Sequence, residues 1–333
     1  MESDPPRTDT KPAIRFSRFL RSGLLIALGS SVTVGLGVFT LLGQVMQVTG
    51  VRAPAAYGLA AIIFIPLVIT YAERAAAKPE EGWAFSLAHN DEPLTLSFLS
   101  SWISIAGYLC LAALLSWSAG LHLSRLVEQF SGYLIEVRYL AIGLIALVVL
   151  NRLLTTRERW QSRTLIIYGS IFILLLLILR AWASPGVDDR VRVLLRTPSD
   201  MLRVIAYLAT TIWGICLILD HGDQVRRPGR TMLPVLMITL LGGLFVGIFA
   251  AGAIAIDPGL VINNATPLAS LATQIGELMG VIYLVAAVLI ALMALDRTLD
   301  SSLRLAGAMT RDGYFPTRLQ IVHTGLGMPA LDM

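Results

Sequence analysis

The sequence predicts an all-helical membrane protein with several spans, on three observations. Apolar runs of about 20 residues, the length that crosses a hydrocarbon core, recur about eight times. Charged side chains make up only 14% of the 333 residues, whereas a soluble domain carries roughly 25%. Mean hydropathy is +0.72.

The same composition excludes several function classes. Cys110 and Cys216 both sit in apolar runs, which argues against a disulfide framework or a thiol metal site. His89, His122, His221 and His323 lie far apart and show no ligand spacing, so no metal or cofactor is expected. The net charge of +4 fits basic loops at a membrane surface, not nucleic-acid binding. No paired carboxylates, nucleophile–base pair or phosphate loop stands outside the membrane pattern, so no enzyme is expected.

The opening stretch, MESDPPRTDTKPAIRFSRFLRSG, is polar and basic and has no small-residue cleavage site before the first span. Residues 1–21 are therefore expected to form a cytoplasmic tail and not a signal peptide. Span 1 covers about 22–46. Within it LGSSVTVGLGVFTLLG, Leu28 to Gly43, places Gly29, Gly35, Gly37 and Gly43 among Ser30, Ser31, Thr33 and Thr40. Each glycine costs a helix about 1 kcal/mol against alanine. Two readings stand. Small residues let neighbouring helices approach closely, or the helix opens here and bares its backbone, which a bilayer tolerates only around a buried site or cavity. Discontinuous spans of that kind form the midplane sites of secondary transporters.

Span 2 covers about 54–73, with Pro66 as a kink. Glu73 and Arg74 after it read as a solvated turn, since an exposed pair contributes little. Span 3 is about 95–122, span 4 about 139–152 and span 5 about 164–183. Span 6, about 202–220, carries Ile212, Trp213 and Gly214, either a packing glycine beside an aromatic or a second break whose tryptophan covers a substrate. Pro228 and Pro234 begin span 7, about 233–256. Span 8, about 278–306, is longer than a crossing needs and is expected to tilt or to extend into the cytosol. There Asp296, Asp300 and Arg304 share a helix face at four-residue spacing, with Arg297 three residues before Asp300. Ionisable groups in a span are costly and face a bundle interior or a wet cavity. These either neutralise one another or take part in coupling. The chain then ends its last helix near Gly313, with Pro316 beyond.

Loop charge orients the molecule. Arg7, Lys11, Arg15, Arg18, Arg21, Arg74, Lys78, Arg152, Arg157, Arg159, Arg163, Arg226, Arg227, Arg230, Arg304, Arg311 and Arg318 fall on the side of the N-terminus. The opposite side holds fewer, although Arg190 to Arg203 form a basic run there. An even number of crossings with the N-terminus cytoplasmic is expected. The domains are then a tail (1–21), a transmembrane core (22–320) and a terminal segment (321–333).

Four stretches, in order and at matching distances from the spans, resemble the amino acid/polyamine/organocation permease superfamily across nearly the whole chain. GLGVF (Gly35 to Phe39) resembles its glycine-rich span 1 motif ending in G-I-F. YAERAAAKPEEGWAF (Tyr71 to Phe85) resembles Y-A-E-L…P-x-x-G-G-x-Y. DQVRRPGRTMLP (Asp223 to Pro234) resembles E-E-x-x-N-P-x-R-x-x-P. RLAGAMTRDGYFP (Arg304 to Pro316) resembles R-x-x-x-A-M-A-R-D-G-x-x-P.

The resemblance implies an inverted-repeat (5+5) transporter bundle with spans 1 and 6 broken, and a secondary active transporter for amino acids or related amines. Carried over by position, the backbone of Gly35, Leu36, Gly37 and Val38 would receive the substrate carboxylate, as free N–H groups at a half-helix N-terminus attract an anion. Trp213 and Gly214 would sit at the second break. Selectivity is expected from Tyr108, Ile212 and Trp213. Asp296, Arg297, Thr298 and Asp300 are coupling candidates, with a proton or sodium as the ion. A guanidinium at Arg297 could also stand in for the ion, leaving an exchanger or facilitator.

The sequence departs from the family in three places. Cys216 stands where an acidic residue is usual. Span 5 has no lysine near Gly169 or Ser170. The chain stops at Met333, so the last two core spans of the second repeat are missing and C-terminal truncation is expected. Two alternatives remain open: a remnant or sensor that keeps the fold without transport, and an inorganic-ion transporter. The second predicts side-chain ligands at the span 1 break, where Ser31 and Thr33 are the candidates.

Overall fold

A computed structural model describes residues 11–77, 94–154, 160–183, 198–222, 225, 227–255, 265–311 and 314. The described residues are helical and contain no strand, and eight helices are long and apolar enough to cross a membrane. In chain order the elements are α1 (Lys11–Val34), a π-helical turn (Gly35–Thr40), α2 (Leu42–Thr49) and α3 (Ala53–Ala77). They continue with α4 (Leu94–Ser131), α5 (Val137–Leu154), α6 (Trp160–Trp182) and α7 (Pro198–Ala209). A 3₁₀ turn (Thr210–Ile212) leads into α8 (Trp213–Leu219), followed by α9 (Pro228–Ala255), α10 (Pro267–Ile275) and α11 (Glu277–Arg311).

Two elements differ from the sequence reading. The helix of span 1 starts at Lys11, inside the stretch expected to be tail. The short helix α10 was not anticipated; it lies between spans 7 and 8, and its approach from Ala265 packs on Gly43 at the far end of span 1. Much of the post-span 2 motif (Lys78 to Phe85), Asp223, Gln224 and Arg226 of the post-span 6 loop, Arg190 to Arg196, and the terminal segment 321–333 lie outside the described residues.

Span 1 is the most enclosed crossing, with 78% of its most apolar stretch buried, and α5 the least, with 11%. The bundle is therefore built around α1, which touches α6, α8, α9 and α11. Around it α3 packs along α9, α4 along α11, and α5 along α4. The outward faces carry large apolar side chains, among them Ile62, Ile103, Ile142, Leu165, Leu179 and Phe245. A surface this apolar suits hydrocarbon and not water. Since consecutive spans reverse direction, Ser22, Ala77, Leu154, Leu219 and Arg311 gather at one end of the bundle, called here the charged end.

Candidate functional site

The site grows from two irregular turns that face each other. Span 1 does not open into separated half-helices at its glycines; it widens from α into π geometry over Gly35–Thr40, with Gly35, Leu36, Gly37, Val38 and Phe39 all buried. The physical reason is that a buried backbone must keep its hydrogen bonds, and a π turn keeps them at longer spacing. The Leu41 N–H donates to Leu36 O at 2.9 Å, five residues back. Carbonyls in this turn also draw in side chains: Thr40 Oγ1 donates to Gly35 O at 2.9 Å, and the buried Tyr57 hydroxyl of α3 donates to Gly37 O. Ser118 Oγ of α4 lies 2.6 Å from Thr40 Oγ1 and supplies the proton of that bond, since the Thr40 hydroxyl proton goes to Gly35 O.

Opposite, span 6 tightens to a 3₁₀ turn at Thr210–Ile212 before continuing as α8. The Thr210 and Thr211 hydroxyls each donate to a carbonyl one turn back, Tyr207 O and Leu208 O, both at 2.6 Å. The two irregular turns touch: a Cβ on Gly37 would stand 2.8 Å from Thr211 Cγ2. Nearer the charged end the helices meet backbone to backbone. A Cβ on Gly214 would lie 2.5 Å from Gly29 O, and one on Gly29 would lie 2.8 Å from Gly214 O. Of the two readings of the glycines, close helix approach therefore accounts for Gly29 and Gly214. Thr33 spans this contact, donating to Gly29 O at 3.0 Å with Thr211 O at 3.5 Å.

The aromatic residues singled out in the sequence come together on one side of span 6. The Tyr108 ring meets Trp213 edge-on at 4.9 Å, and Trp213 lies over Gly107, where any Cβ would stand 2.3 Å from the indole. Ile212 packs on the same core, half-buried. Near the end of the π turn, Phe39 stacks on Tyr283 at 5.3 Å, with His122 edge-on to both.

The charged residues of span 8 make their own assembly at the charged end. Asp296, Arg297, Thr298, Asp300 and Arg304 are all buried. Sequence spacing pairs these residues along α11, yet only Asp300–Arg304 follows the four-residue rule, at 3.0 Å. The other partners come from other helices. Arg152 of α5 reaches Asp296 Oδ1 at 2.7 Å and Asp300 Oδ1 at 2.9 Å, and also donates to Asp296 O at 2.5 Å. Arg163 of α6 reaches Asp296 Oδ2 at 2.7 Å. Arg297 Nε stands 3.6 Å from Asp296, and Thr298 donates to its own helix at Ala294 O. His221, just past α8, gives Nδ1 to Leu217 O at 2.8 Å and turns Nε2 to Asp300 at 3.3 Å.

Sequence reasoning counted Arg152, at the end of span 4, and Arg163, just before span 5, with the charges of the cytoplasmic side; the structure puts both on helices, paired with Asp296. It also missed Asp220, which follows Leu219 at the end of α8, is fully buried and accepts the Tyr108 hydroxyl. The Tyr108 and Ser301 hydroxyls and the Arg304 guanidinium surround its carboxyl. An acid one turn beyond Cys216 is a signal the sequence contained, since a lone Asp ending an apolar run has to be satisfied somewhere.

No protein-family model matches the chain. The chain is 24% identical over 322 residues to an uncharacterized transporter of Mycobacterium bovis, a match covering 93% of this chain and 70% of that protein. Uncharacterized transporters from two strains of Mycobacterium tuberculosis match with the same identity and coverage. With eight helices of spanning length and apolarity, the chain is a multi-pass membrane protein similar to these transporters.

Proposed function

We propose that the chain is a secondary transporter for amino acids or related amines, working by alternating access with its N-terminus in the cytoplasm. The observation that carries this reading is the meeting of two non-α turns, Gly35–Thr40 and Thr210–Ile212, inside two crossing spans. Inverted-repeat transporters place their midplane sites where two spans are interrupted, and two facing departures from α geometry support the same placement here. The helix pairing supports the repeat: span 1 lies against span 6, span 2 against span 7 and span 3 against span 8. A pseudo-two-fold axis in the membrane plane relates each span to the one five places on, running in the opposite direction. It brings such mates together near the axis.

In this reading the substrate carboxylate meets the backbone of Gly35, Leu36, Gly37 and Val38. Binding opens the π turn locally, the place where span 1 already departs from α geometry. Ile212, Trp213 and Gly214 line the facing turn, and Tyr108 sets the aromatic wall. Asp296, Arg297, Thr298 and Asp300 belong to the machinery that holds or releases the charged end. Motion between outward- and inward-open states requires the substrate to bind the two states differently.

Ligand stabilisation tests this without assuming a transport direction. At about a hundred times its Kd, a ligand that binds only the folded state adds about 2.7 kcal/mol. Thermal unfolding of the purified protein in detergent, against the common amino acids one at a time, is expected to show a raised Tm for a subset. The decarboxylated amine of each should stabilise less. Failure of every amino acid and amine to raise Tm overturns the reading. An amine that equals its parent amino acid overturns carboxylate capture at Gly35–Val38.

A further inference from the structure

Three aspartates among the described residues, Asp220, Asp296 and Asp300, are buried at the charged end, and they are not equivalent. Asp296 holds Arg152 and Arg163, and Asp300 holds Arg152 and Arg304, so both have cationic partners. Asp220 makes no ion pair among the described residues, although its side chain is fully buried. Its Oδ2 accepts the Tyr108 hydroxyl from α4, while Oδ1 has no hydrogen-bond partner. Beside it on α11 stands the buried Ser301 hydroxyl, which makes no hydrogen bond of ordinary geometry yet lies close enough to act on the carboxyl. The groups that face Asp220 are therefore Tyr108 from α4, Ser301, Asp300 and Arg304 from α11, and Cys216 from its own helix.

An ionised carboxylate enclosed in this way, with a single neutral donor, is unfavourable, and such groups take up a proton instead. The arrangement serves both protonation states. When Asp220 is ionised, Ser301 can turn its hydroxyl proton toward Oδ1. When Oδ1 carries a proton, it donates to the Ser301 oxygen, because a hydroxyl is both donor and acceptor. Tyr108 donates to Oδ2 throughout. The nearest charges are Asp300, which disfavours a second anion, and Arg304, which favours it. A proton gained or lost at Asp220 thus alters the balance of the cluster that ties α5 and α6 to α11.

We propose that Asp220, with Tyr108 and Ser301, is a proton-binding site, and that the ion coupled to transport is a proton carried there. The second half rests on the transporter reading above; the first does not.

The test reads the proton directly. Infrared difference titration of the purified protein between about pH 5 and 9 is expected to show a protonated-carboxyl band that disappears as pH rises. The band should be missing in Asp220→Asn. Tyr108→Phe removes a donor to the ionised form, so the midpoint should move up by about one pH unit, a tenfold change in proton affinity. Ser301→Ala, a milder change, should also shift it, and size-exclusion profiles establish that each variant is folded. A band that survives Asp220→Asn, or the lack of any titrating band, overturns the proton site. In liposomes, an imposed pH gradient should drive accumulation of a radiolabelled mixture of common amino acids in the wild type and not in Asp220→Asn. Wild-type uptake indifferent to the gradient overturns proton coupling. Zero uptake under every condition overturns the transporter reading and leaves the titration to decide the site.

Discussion

Asp296→Asn is expected to destabilise the solubilised protein by about 3–5 kcal/mol, the cost of removing one partner from a buried ion pair. The Asp296 carboxylate binds two guanidinia at 2.7 Å, Arg152 and Arg163, and all three side chains are less than one-fifth exposed. Asparagine keeps one acceptor oxygen and no charge, so at least one arginine stays enclosed with diminished compensation. The unfolding midpoint in denaturant reads the loss. Arg163→Gln should cost less, because Asp296 retains Arg152. Combining the two should recover part of the loss, since the double variant again balances charge. A single variant within about 0.5 kcal/mol of wild type, the range of ordinary surface changes, contradicts the assignment of these arginines to the interior.

Gly214→Ala should be strongly destabilising. The added Cβ would stand 2.4 Å from Thr33 Oγ1, 2.5 Å from Gly29 O and 3.2 Å from Thr33 N. Two of these atoms are backbone and cannot rotate away, so α1 and α8 must separate at the contact from which the candidate site is built. Overpacking costs typically 1–3 kcal/mol when side chains can adjust, and the backbone contact puts Gly214 at or above the top of that range. Gly169→Ala is the control. Its Cβ meets nothing within 4 Å, and alanine gains up to about 1 kcal/mol of helix propensity over glycine. The expected outcome is a sharp fall in Tm for the first variant and no change or a rise for the second.

The crossings were legible because lipid imposes a minimum apolar length on each. Spans 4 and 5 could be read from runs such as YLAIGLIALVVL without knowing their neighbours. Which span packs on which was not legible, since the apolar residues of a lipid-embedded helix carry little facial pattern. The glycines of span 1 could be located but not assigned. The same residue type serves the Gly29–Gly214 contact and the π turn, and only the partner's position separates the two uses. The ion cluster was half visible. Asp296, Asp300 and Arg304 showed the right spacing on one helix, but Arg152 and Arg163 stand more than a hundred residues away. At span ends, their charge reads as solvated. Asp220 escaped for a similar reason: an acid at the end of an apolar run looks like the start of a loop until Tyr108 is seen to face it.

Counterflow most directly tests whether this molecule carries an amphoteric solute through alternating states. Proteoliposomes loaded with unlabelled amino acids and diluted into a trace of the radiolabelled mixture should show label overshooting its equilibrium level. The overshoot should be faster than in empty vesicles and lost in Gly214→Ala. Label that only leaks to equilibrium, at the same rate with or without internal amino acids, would contradict the account.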